Sequence, residues 1–348
     1  MIMPTRRWFG RGSLAAVAVV AVIATACGGA APAPAATPRP KLTVEPGTSG
    51  LPFLPLYVTQ QRGFFAQAGV DVEIKPPVND GHIAIDDATI GSAARKVDLA
   101  FTIPDLVLVA RAPKSATIGG LAGRGEQVKF IGATNSQDIF RLYAQPEIQS
   151  LDDLAGKTLG MTHPGSGPDI QLRAMMAAKG PGADKAKYQD IGEVPGRISF
   201  LVNKTVSATL LIGPFDIQAE RAGFHSLGDL KDVIPNYPQT VFSASEETIA
   251  TKKDALRRFM SAIVKGLKYT LANPEQAIDI ETQVTKQPRD LIASAYAFAK
   301  TTYSSDGALN VGGLELEEQF MVKYGGTDAA VLPKVRDMYD AEFLPKSG

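Results

Sequence analysis

The sequence predicts an α/β fold of two lobes, each a mixed sheet flanked by helices, with two crossovers forming a hinge between them. From Lys41 onward, apolar segments of strand length alternate with amphipathic segments of helix length. Residues 151–180 have the pattern of a strand, a Gly-rich turn and a helix, which is the repeating unit of open α/β sheets. A strand, a Pro break and a helix also follow Lys96 and, again, Val206. This repetition favours two related lobes, although any two βα units look alike.

The N-terminal segment is typical of an export signal. Three arginines precede an apolar segment, residues 14–26, that is too short to span a membrane as a helix. Cys27 follows directly and resembles the lipidated residue of a bacterial lipoprotein, with a solitary buried cysteine as the alternative. Residues 5–9 resemble a twin-arginine signal, so both export routes stay open. We expect a lipoprotein signal peptide over residues 1–26 and an Ala/Pro-rich, disordered tether over residues 27–40.

The composition excludes several classes of protein. The chain has 348 residues, enough for two ordinary domains, and a net charge of 0 that becomes −3 once residues 1–26 are removed. Nothing in this balance indicates a nucleic-acid partner. The single cysteine excludes an internal disulfide, and the three histidines are too scattered for a metal site. We expect no metal and no cofactor.

The first lobe begins with a strand and a Gly-containing turn. We expect a strand at residues 41–44, a turn at 47–50, a helix at 51–61, a short helix within 63–69 and a half-buried strand at 70–74. Within these elements stand the motifs LPLYV, RGFF and GVDVE, and later in the chain VDLAF and LDDLAGKTLG.

These motifs resemble, in order and spacing, the nitrate/sulfonate/thiamine-precursor family of substrate-binding proteins of ABC importers, over roughly residues 41–286. The resemblance implies the type II periplasmic-binding-protein fold. It also implies an extracytoplasmic monomer without enzymatic activity, which captures a small molecule between its lobes. The partners would be an ABC permease, with its cytoplasmic ATPase, and the cell membrane through a lipid on Cys27. We expect lobe I to comprise residues 41–135 and 241–348, and lobe II residues 136–240.

Ligand contacts in such a fold come from turns where strands end and helices begin. Five such turns supply the candidates. The resemblance to the family indicates which positions line the pocket, but it assigns no role to any individual residue. The candidates are Ser49, Gly50, Phe53, Thr102, Asp105, Asn135, Gln137, Asp138, His163, Ser166, Gly167, Phe215, Asp216 and Tyr237.

Each kind of candidate has a purely structural alternative. The aspartates can stabilise helix dipoles, the phenylalanines can belong to the core, and the amides can satisfy turn backbone. The glycines of the turn at 163–167 either aim free backbone N–H groups at a ligand or only shorten the turn. Two enzyme motifs are incomplete: the P-loop-like stretch ending at Thr158 lacks its first glycine, and Ser166 lacks the first glycine of a nucleophile elbow.

Charge suggests the class of ligand. Asp105, Asp169 and Asp216 disfavour a small anion, although Arg141 and Arg173 can offset them. We therefore expect a thiamine-precursor pyrimidine or a similar ring compound rather than nitrate or a sulfonate. Two alternatives stay open: an enzyme of pyrimidine-precursor synthesis that uses His163, and a sensor that presents its ligand to a membrane kinase.

Overall fold

The computed structural model describes residues 38–78, 96–118 and 121–345. Residues 1–37 lie outside this part of the chain, and with them the expected signal peptide, most of the tether and Cys27. The described residues from Arg39 onward form one compact unit. No helix in the described ranges has the length and apolarity needed to cross a membrane.

The described strands form two five-stranded sheets and a small two-stranded ribbon. The strands are β1 (Lys41–Pro46), β2 (Asp71–Ile74), β3 (Leu99–Thr102), β4 (Thr117–Ile118), β5 (Leu121–Ala122), β6 (Val128–Ala133), β7 (Arg141–Ala144), β8 (Thr158–Met161), β9 (Lys187–Asp190), β10 (Ala208–Leu211), β11 (His225–Asp229) and β12 (Val241–Ser245).

Helices flank both sheets. They are α1 (Leu54–Gln61), α2 (Phe64–Gln67), α3 (Pro104–Arg111), α4 (Gly167–Lys179), α5 (Arg197–Val202), α6 (Phe215–Arg221), α7 (Glu246–Thr251), α8 (Lys253–Ala272), α9 (Pro274–Thr285), α10 (Arg289–Ala299), α11 (Val311–Gly325) and α12 (Val335–Met338).

The first sheet has the strand order β2-β1-β3-β12-β6. Strand β1 pairs in parallel with β2 and β3, whereas β12 is antiparallel to β3 and β6. All four residues of β3 are buried, as expected for a strand covered on both faces. The ring of Phe242 stacks on Phe101 at 4.1 Å and meets Phe259 of α8 edge-on at 5.1 Å, which ties that helix to the sheet.

The second sheet has the order β11-β7-β10-β8-β9. Strand β8 is parallel to β9 and β10, and β7 is antiparallel to β10 and β11. Both sheets are therefore mixed, as the sequence predicts. Before β8, the Ser150 N–H donates to Asp153 Oδ2 (2.9 Å), and Gly156 has a φ of 74° that favours glycine. The segment between them is a single 3-10 turn rather than an α-helix.

The chain passes between the sheets twice, after β6 and before β12, and the two passing segments are bonded to each other. The Thr134 N–H donates to the Thr240 carbonyl (3.1 Å), and their hydroxyls lie 2.6 Å apart. Further along, the Asn236 N–H donates to Gln137 Oε1 at 2.9 Å. The expected lobe limits fall in these two crossing segments. The division into two mobile lobes stays a prediction.

Candidate functional site

A cavity of about 260 Å³ lies between the two sheets, at the ends of their strands. Its walls come from the turns after β1, β3, β8, β9 and β10 and from the second crossing segment, so both sheets contribute. The described lining residues are Gly47, Thr48, Phe53, Thr102, Ile103, Asp105, Leu106, Leu121, Ile139, Phe140, Thr162, His163, Ser166, Pro168, Glu193, Val194, Arg197, Ile212, Gln239 and Thr240.

Asp105 is the charged group of the first-sheet wall. It stands in the first turn of α3, behind Pro104, and its side chain is buried. Oδ2 accepts a hydrogen bond from the N–H of Gly167 on the other side of the cavity (3.0 Å), whereas Oδ1 has no hydrogen-bond partner among the described residues. Burial raises the pKa of Asp105 to about 6, against the Gly167 N–H bond, which lowers it. Asp105 therefore keeps one carboxylate oxygen without a hydrogen-bond partner in the described part of the chain.

Arg197 is the guanidinium group of the second-sheet wall, which also includes the side chains of Glu193 and His163. It is the first residue of α5 and is fully buried. Its guanidinium donates to the Gly192 carbonyl (3.0 Å), to the Leu210 carbonyl (2.9 Å) and to the hydroxyl of Thr162. Within the described ranges no carboxylate comes close enough for an ion pair with Arg197. Burial lowers its pKa to about 10, so the side chain stays charged at neutral pH.

His163 lies at the cavity wall as a half-exposed side chain. Its Nδ1 is 3.0 Å from Asp190 Oδ2, and this hydrogen bond lowers the pKa of the Asp190 carboxyl. The Ser166 hydroxyl donates to the His163 backbone carbonyl (2.8 Å) rather than to the imidazole. The site therefore holds a His–Asp pair whose imidazole does not accept the proton of the Ser166 hydroxyl.

The N–H groups of Gly165, Ser166 and Gly167 in the turn before α4 are all hydrogen-bonded within the protein, which favours the second of the two alternatives given for this turn. The Gly165 N–H donates to Asp169 Oδ2 (2.7 Å), and the Gly167 N–H donates to Asp105. The Ser166 N–H is turned back to the His163 carbonyl (3.0 Å). The positive end of the helix is thus satisfied by carboxylates of the protein itself.

The structure brings five of the fourteen sequence-derived ligand candidates to the cavity wall: Phe53, Thr102, Asp105, His163 and Ser166. Gly167 lies immediately behind that wall through its bond to Asp105. Ser49 and Gly50 belong to the turn that borders the cavity, but Ser49 lines a separate groove of about 810 Å³ beside Tyr57.

The other candidates have structural partners elsewhere. Asn135 bonds to the hydroxyls of Thr240 and Thr302, and Gln137 bonds to Asn236, so both belong to the crossing segments. Asp138 accepts from the Phe140 N–H at 2.8 Å.

Three further candidates lie in packed surroundings. Asp216 accepts from the Ile217 N–H (2.7 Å) and forms an ion pair with Arg141 (3.5 Å). Phe215 packs against the core of the second sheet. Tyr237 is fully buried in a cluster that includes Ile170 of α4.

The charge expectation therefore needs correction in two respects. Among the three aspartates invoked, only Asp105 lines the cavity, and Arg141 and Arg173 pair with Asp216 and Asp169. The arginine of the cavity wall is Arg197, which the sequence interpretation missed. The sequence did contain a pattern that could have indicated Arg197. Residues 193–197, after β9, form a turn beyond the five considered, and in it Pro and Gly precede a helix.

The family whose sequence profile is described as NMT1/THI5 like matches residues 52–277. The chain belongs to the NMT1/THI5-like family. This result confirms the resemblance to substrate-binding proteins of ABC importers. Two named relatives of this NMT1/THI5-like protein are the riboflavin-binding protein RibY of Chloroflexus aurantiacus, 23% identical over 94% of this chain and 96% of its own length, and the formylaminopyrimidine-binding protein of Halalkalibacterium halodurans, 23% identical over 65% and 64%.

Solved structures show the same fold. The ligand-binding component of an ABC-type import system from Staphylococcus aureus has a TM-score of 0.68 at 16% identity, with 88% of this chain and 98% of that chain covered. The aliphatic sulphonate binding protein SsuA of Escherichia coli has a TM-score of 0.65 at 15% identity, covering 86% and 91%. The desulfurization enzyme DSZB also has this fold, with a TM-score of 0.60 at 15% identity, covering 88% and 97%. The NMT1/THI5-like protein therefore has the periplasmic-binding-protein fold predicted from its sequence.

Proposed function

We propose that this protein is the solute-binding component of an ABC importer, which holds a small organic molecule between its two sheets and delivers it unchanged to a permease. The observation that carries the proposal is the composition of the cavity wall, which takes turns from both sheets and a residue pair, Gln239 and Thr240, from a crossing segment. A ligand that contacts both sheets at once stabilises the arrangement in which they lie together. A permease that recognises this arrangement would distinguish loaded from empty protein.

The size and lining of the cavity favour a compact ring compound. About 260 Å³ corresponds to roughly nine water molecules at about 30 Å³ each. A cavity of this size suits a small organic ligand such as a single substituted ring. Phe53, Phe140 and Val194 supply apolar contact area, and the charged residues of the described lining carry both signs, with two carboxylates and one guanidinium. Of the two ligands in the relatives' names, we favour a ligand of the formylaminopyrimidine type over riboflavin. We consider nitrate and sulfonates less suitable than either.

The proposed location follows from the N-terminal residues. A short apolar segment directly before Cys27 supports export, cleavage and lipidation at that cysteine. The Ala/Pro-rich residues 27–40 would then tether a monomeric binding protein to the outer face of the cytoplasmic membrane. The permease and its ATPase would complete the importer.

A second candidate function is an enzyme on the same fold. The His163–Asp190 pair at the cavity is the observation that favours it, because a carboxylate that orients an imidazole is a common arrangement for general-base catalysis. DSZB shows that enzymes occur on this fold. A binding protein would return its ligand with an unchanged mass, whereas this candidate requires turnover.

A thermal-shift screen of the purified protein tests the proposal. The panel comprises aminopyrimidines, flavins, aromatic acids, alkanesulfonates and nitrate, each followed by mass spectrometry of the incubated compound. A ligand present at 100 times its Kd should stabilise the protein by about 2.7 kcal/mol. Stabilisation by a ring compound of unchanged mass supports the binding function. A flat response to every class contradicts it, and conversion of a compound supports the enzyme.

A further inference from the structure

Two acceptor atoms of the cavity wall are buried without a hydrogen-bond partner in the described part of the chain. They are Asp105 Oδ1 and Gln239 Oε1, and both residues line the cavity. Asp105 and Gln239 are 3% and 1% exposed, so bulk water does not satisfy them. Buried acceptors are normally paired, and a molecule that fills the cavity must bring a donor to each or leave the oxygen without a partner.

The orientation of Asp105 is fixed. Its second carboxylate oxygen, Oδ2, accepts the Gly167 N–H from the opposite side of the cavity at 3.0 Å. This bond holds the plane of the carboxylate, because rotation about the Cβ–Cγ bond would break it. The free oxygen is therefore a positioned acceptor in the cavity rather than one of two exchangeable atoms.

Arg197 presents the opposite polarity. A guanidinium carries five N–H groups, and the bonds to Gly192, Leu210 and Thr162 use three of them. The side chain is 0% exposed and forms no direct ion pair in the described ranges, although the nearby carboxylates of Glu193 and Asp190 partly offset the lowering of its pKa by burial. An acceptor from a bound molecule would satisfy a donor here and reduce the cost of the buried charge.

We propose that the cavity recognises a ligand with two polar edges, an N–H donor edge that meets Asp105 and Gln239 and an acceptor edge, a carbonyl or ring nitrogen, that meets Arg197. This inference rests on the proposed function and specifies its ligand. Aminopyrimidines carry both edges on one ring. Nitrate and sulfonates carry acceptors only, so they would leave the Asp105 wall unpaired and add charge repulsion.

The substitution Asp105→Asn tests the donor edge with almost no change in shape. The asparagine carbonyl can still accept the Gly167 N–H, and its NH₂ group then stands where the free acceptor stood. We would measure the Kd values of 4-aminopyrimidine and 4-methylpyrimidine by calorimetry, because the methyl group of the second compound has nearly the size of the amino group but no N–H donor. Wild-type protein should favour the amino compound by about 10- to 100-fold, and Asp105→Asn should abolish or reverse that ratio.

Glu281→Gln is the matched control. It makes the same carboxyl-to-amide change at a fully buried residue that does not line the cavity, and it should leave the ratio unchanged. If Asp105→Asn fails to fold by circular dichroism, Gln239→Met removes the second acceptor and should reduce the same ratio. An equal ratio in wild-type and variant protein overturns the inference. Binding of methanesulfonate or nitrate in preference to both pyrimidines also overturns it, but leaves the importer function intact. Absence of binding to every compound rejects the proposed function itself.

Discussion

The carboxylate of Asp105 accepts the backbone N–H of Gly167 at 3.0 Å, and this bond joins the two walls of the cavity. It links the first turn of α3 to the first residue of α4, the helix that the Gly-rich turn introduces. A helix N-terminus attracts anions, and here the anion is a side chain of the protein. The site therefore does not depend on an anionic ligand to satisfy this helix, and Asp105 keeps one oxygen for a donor.

The first prediction concerns pH. Burial raises the pKa of Asp105 to about 6, of Asp138 to about 7 and of Glu281 to about 8. Because these folded-state values lie above those of an unfolded chain, the folded protein binds more protons between about pH 5 and pH 8, and its stability falls as pH rises through that range. At about 1.4 kcal/mol per pH unit and group, we expect these three carboxyls to lower the stability by several kcal/mol, and at most by about 8 kcal/mol, between pH 5 and pH 8. Urea unfolding at several pH values measures it, and a rise in stability toward pH 8 would contradict the account.

Glu281→Gln isolates one of these groups. Both carboxylate oxygens of Glu281 are buried without a hydrogen-bond partner in the described part of the chain. The amide avoids the cost of ionising that site, so the variant should gain roughly 1–3 kcal/mol at pH 8 and much less at pH 5. Thermal unfolding at both pH values checks this. Destabilisation at pH 8 would show that the carboxylate is needed there as an anion.

Much of the architecture was accessible from sequence because turn chemistry and apolar periodicity are local. The strand, turn and helix predicted over residues 151–180 are present, with Gly156 just before β8 and Pro168 in the first turn of α4, and the candidates Thr102 and Asp105 lie where β3 ends and α3 begins. Hydrogen bonds between residues that are far apart in the sequence could not be predicted from it. Nothing near Asn135 in sequence indicates that its partner is Thr302.

Arg197 illustrates the other limit of sequence interpretation. An arginine at the start of a helix is usually exposed, and only tertiary packing shows that this one is buried against three acceptors. The same holds for the Gly-rich turn, whose N–H groups are used by carboxylates that the local sequence does not position. The sequence therefore indicated which turns form the candidate site. It did not indicate which charged and polar groups of these turns lie at the cavity.

Arg197→Lys tests the second-sheet wall. Lysine keeps the charge but cannot reach three acceptors in the planar arrangement of a guanidinium. We expect ligand affinity to fall at least about tenfold and stability to fall by about 1–3 kcal/mol. Calorimetry and urea unfolding separate the two effects. Arg173→Lys is the control, because Arg173 pairs with Asp169 outside the cavity lining (2.9 Å) and its variant should lose stability without losing affinity. Equal affinity losses in both variants would contradict a direct role for Arg197.

Cys27→Ser tests the proposed anchor. If Cys27 is lipidated, the wild-type protein should fractionate with membranes and its N-terminal peptide should carry diacylglycerol. The serine variant should lose both properties and move to the soluble extracytoplasmic fraction, or retain its signal peptide uncleaved. Mass spectrometry of the N-terminal peptide gives the answer. A cleaved, membrane-bound serine variant would contradict lipid anchoring at this residue.

The central claim is that the cavity between the two sheets holds one small molecule and releases it unaltered. Equilibrium dialysis of the purified protein against the compound panel, followed by mass spectrometry of both compartments, tests this most directly. We predict that one ring compound is retained at a 1:1 ratio of compound to protein and is recovered with its original mass. The substitution Asp105→Asn should weaken this retention. Retention of no compound, or recovery of a compound with a changed mass, would contradict it.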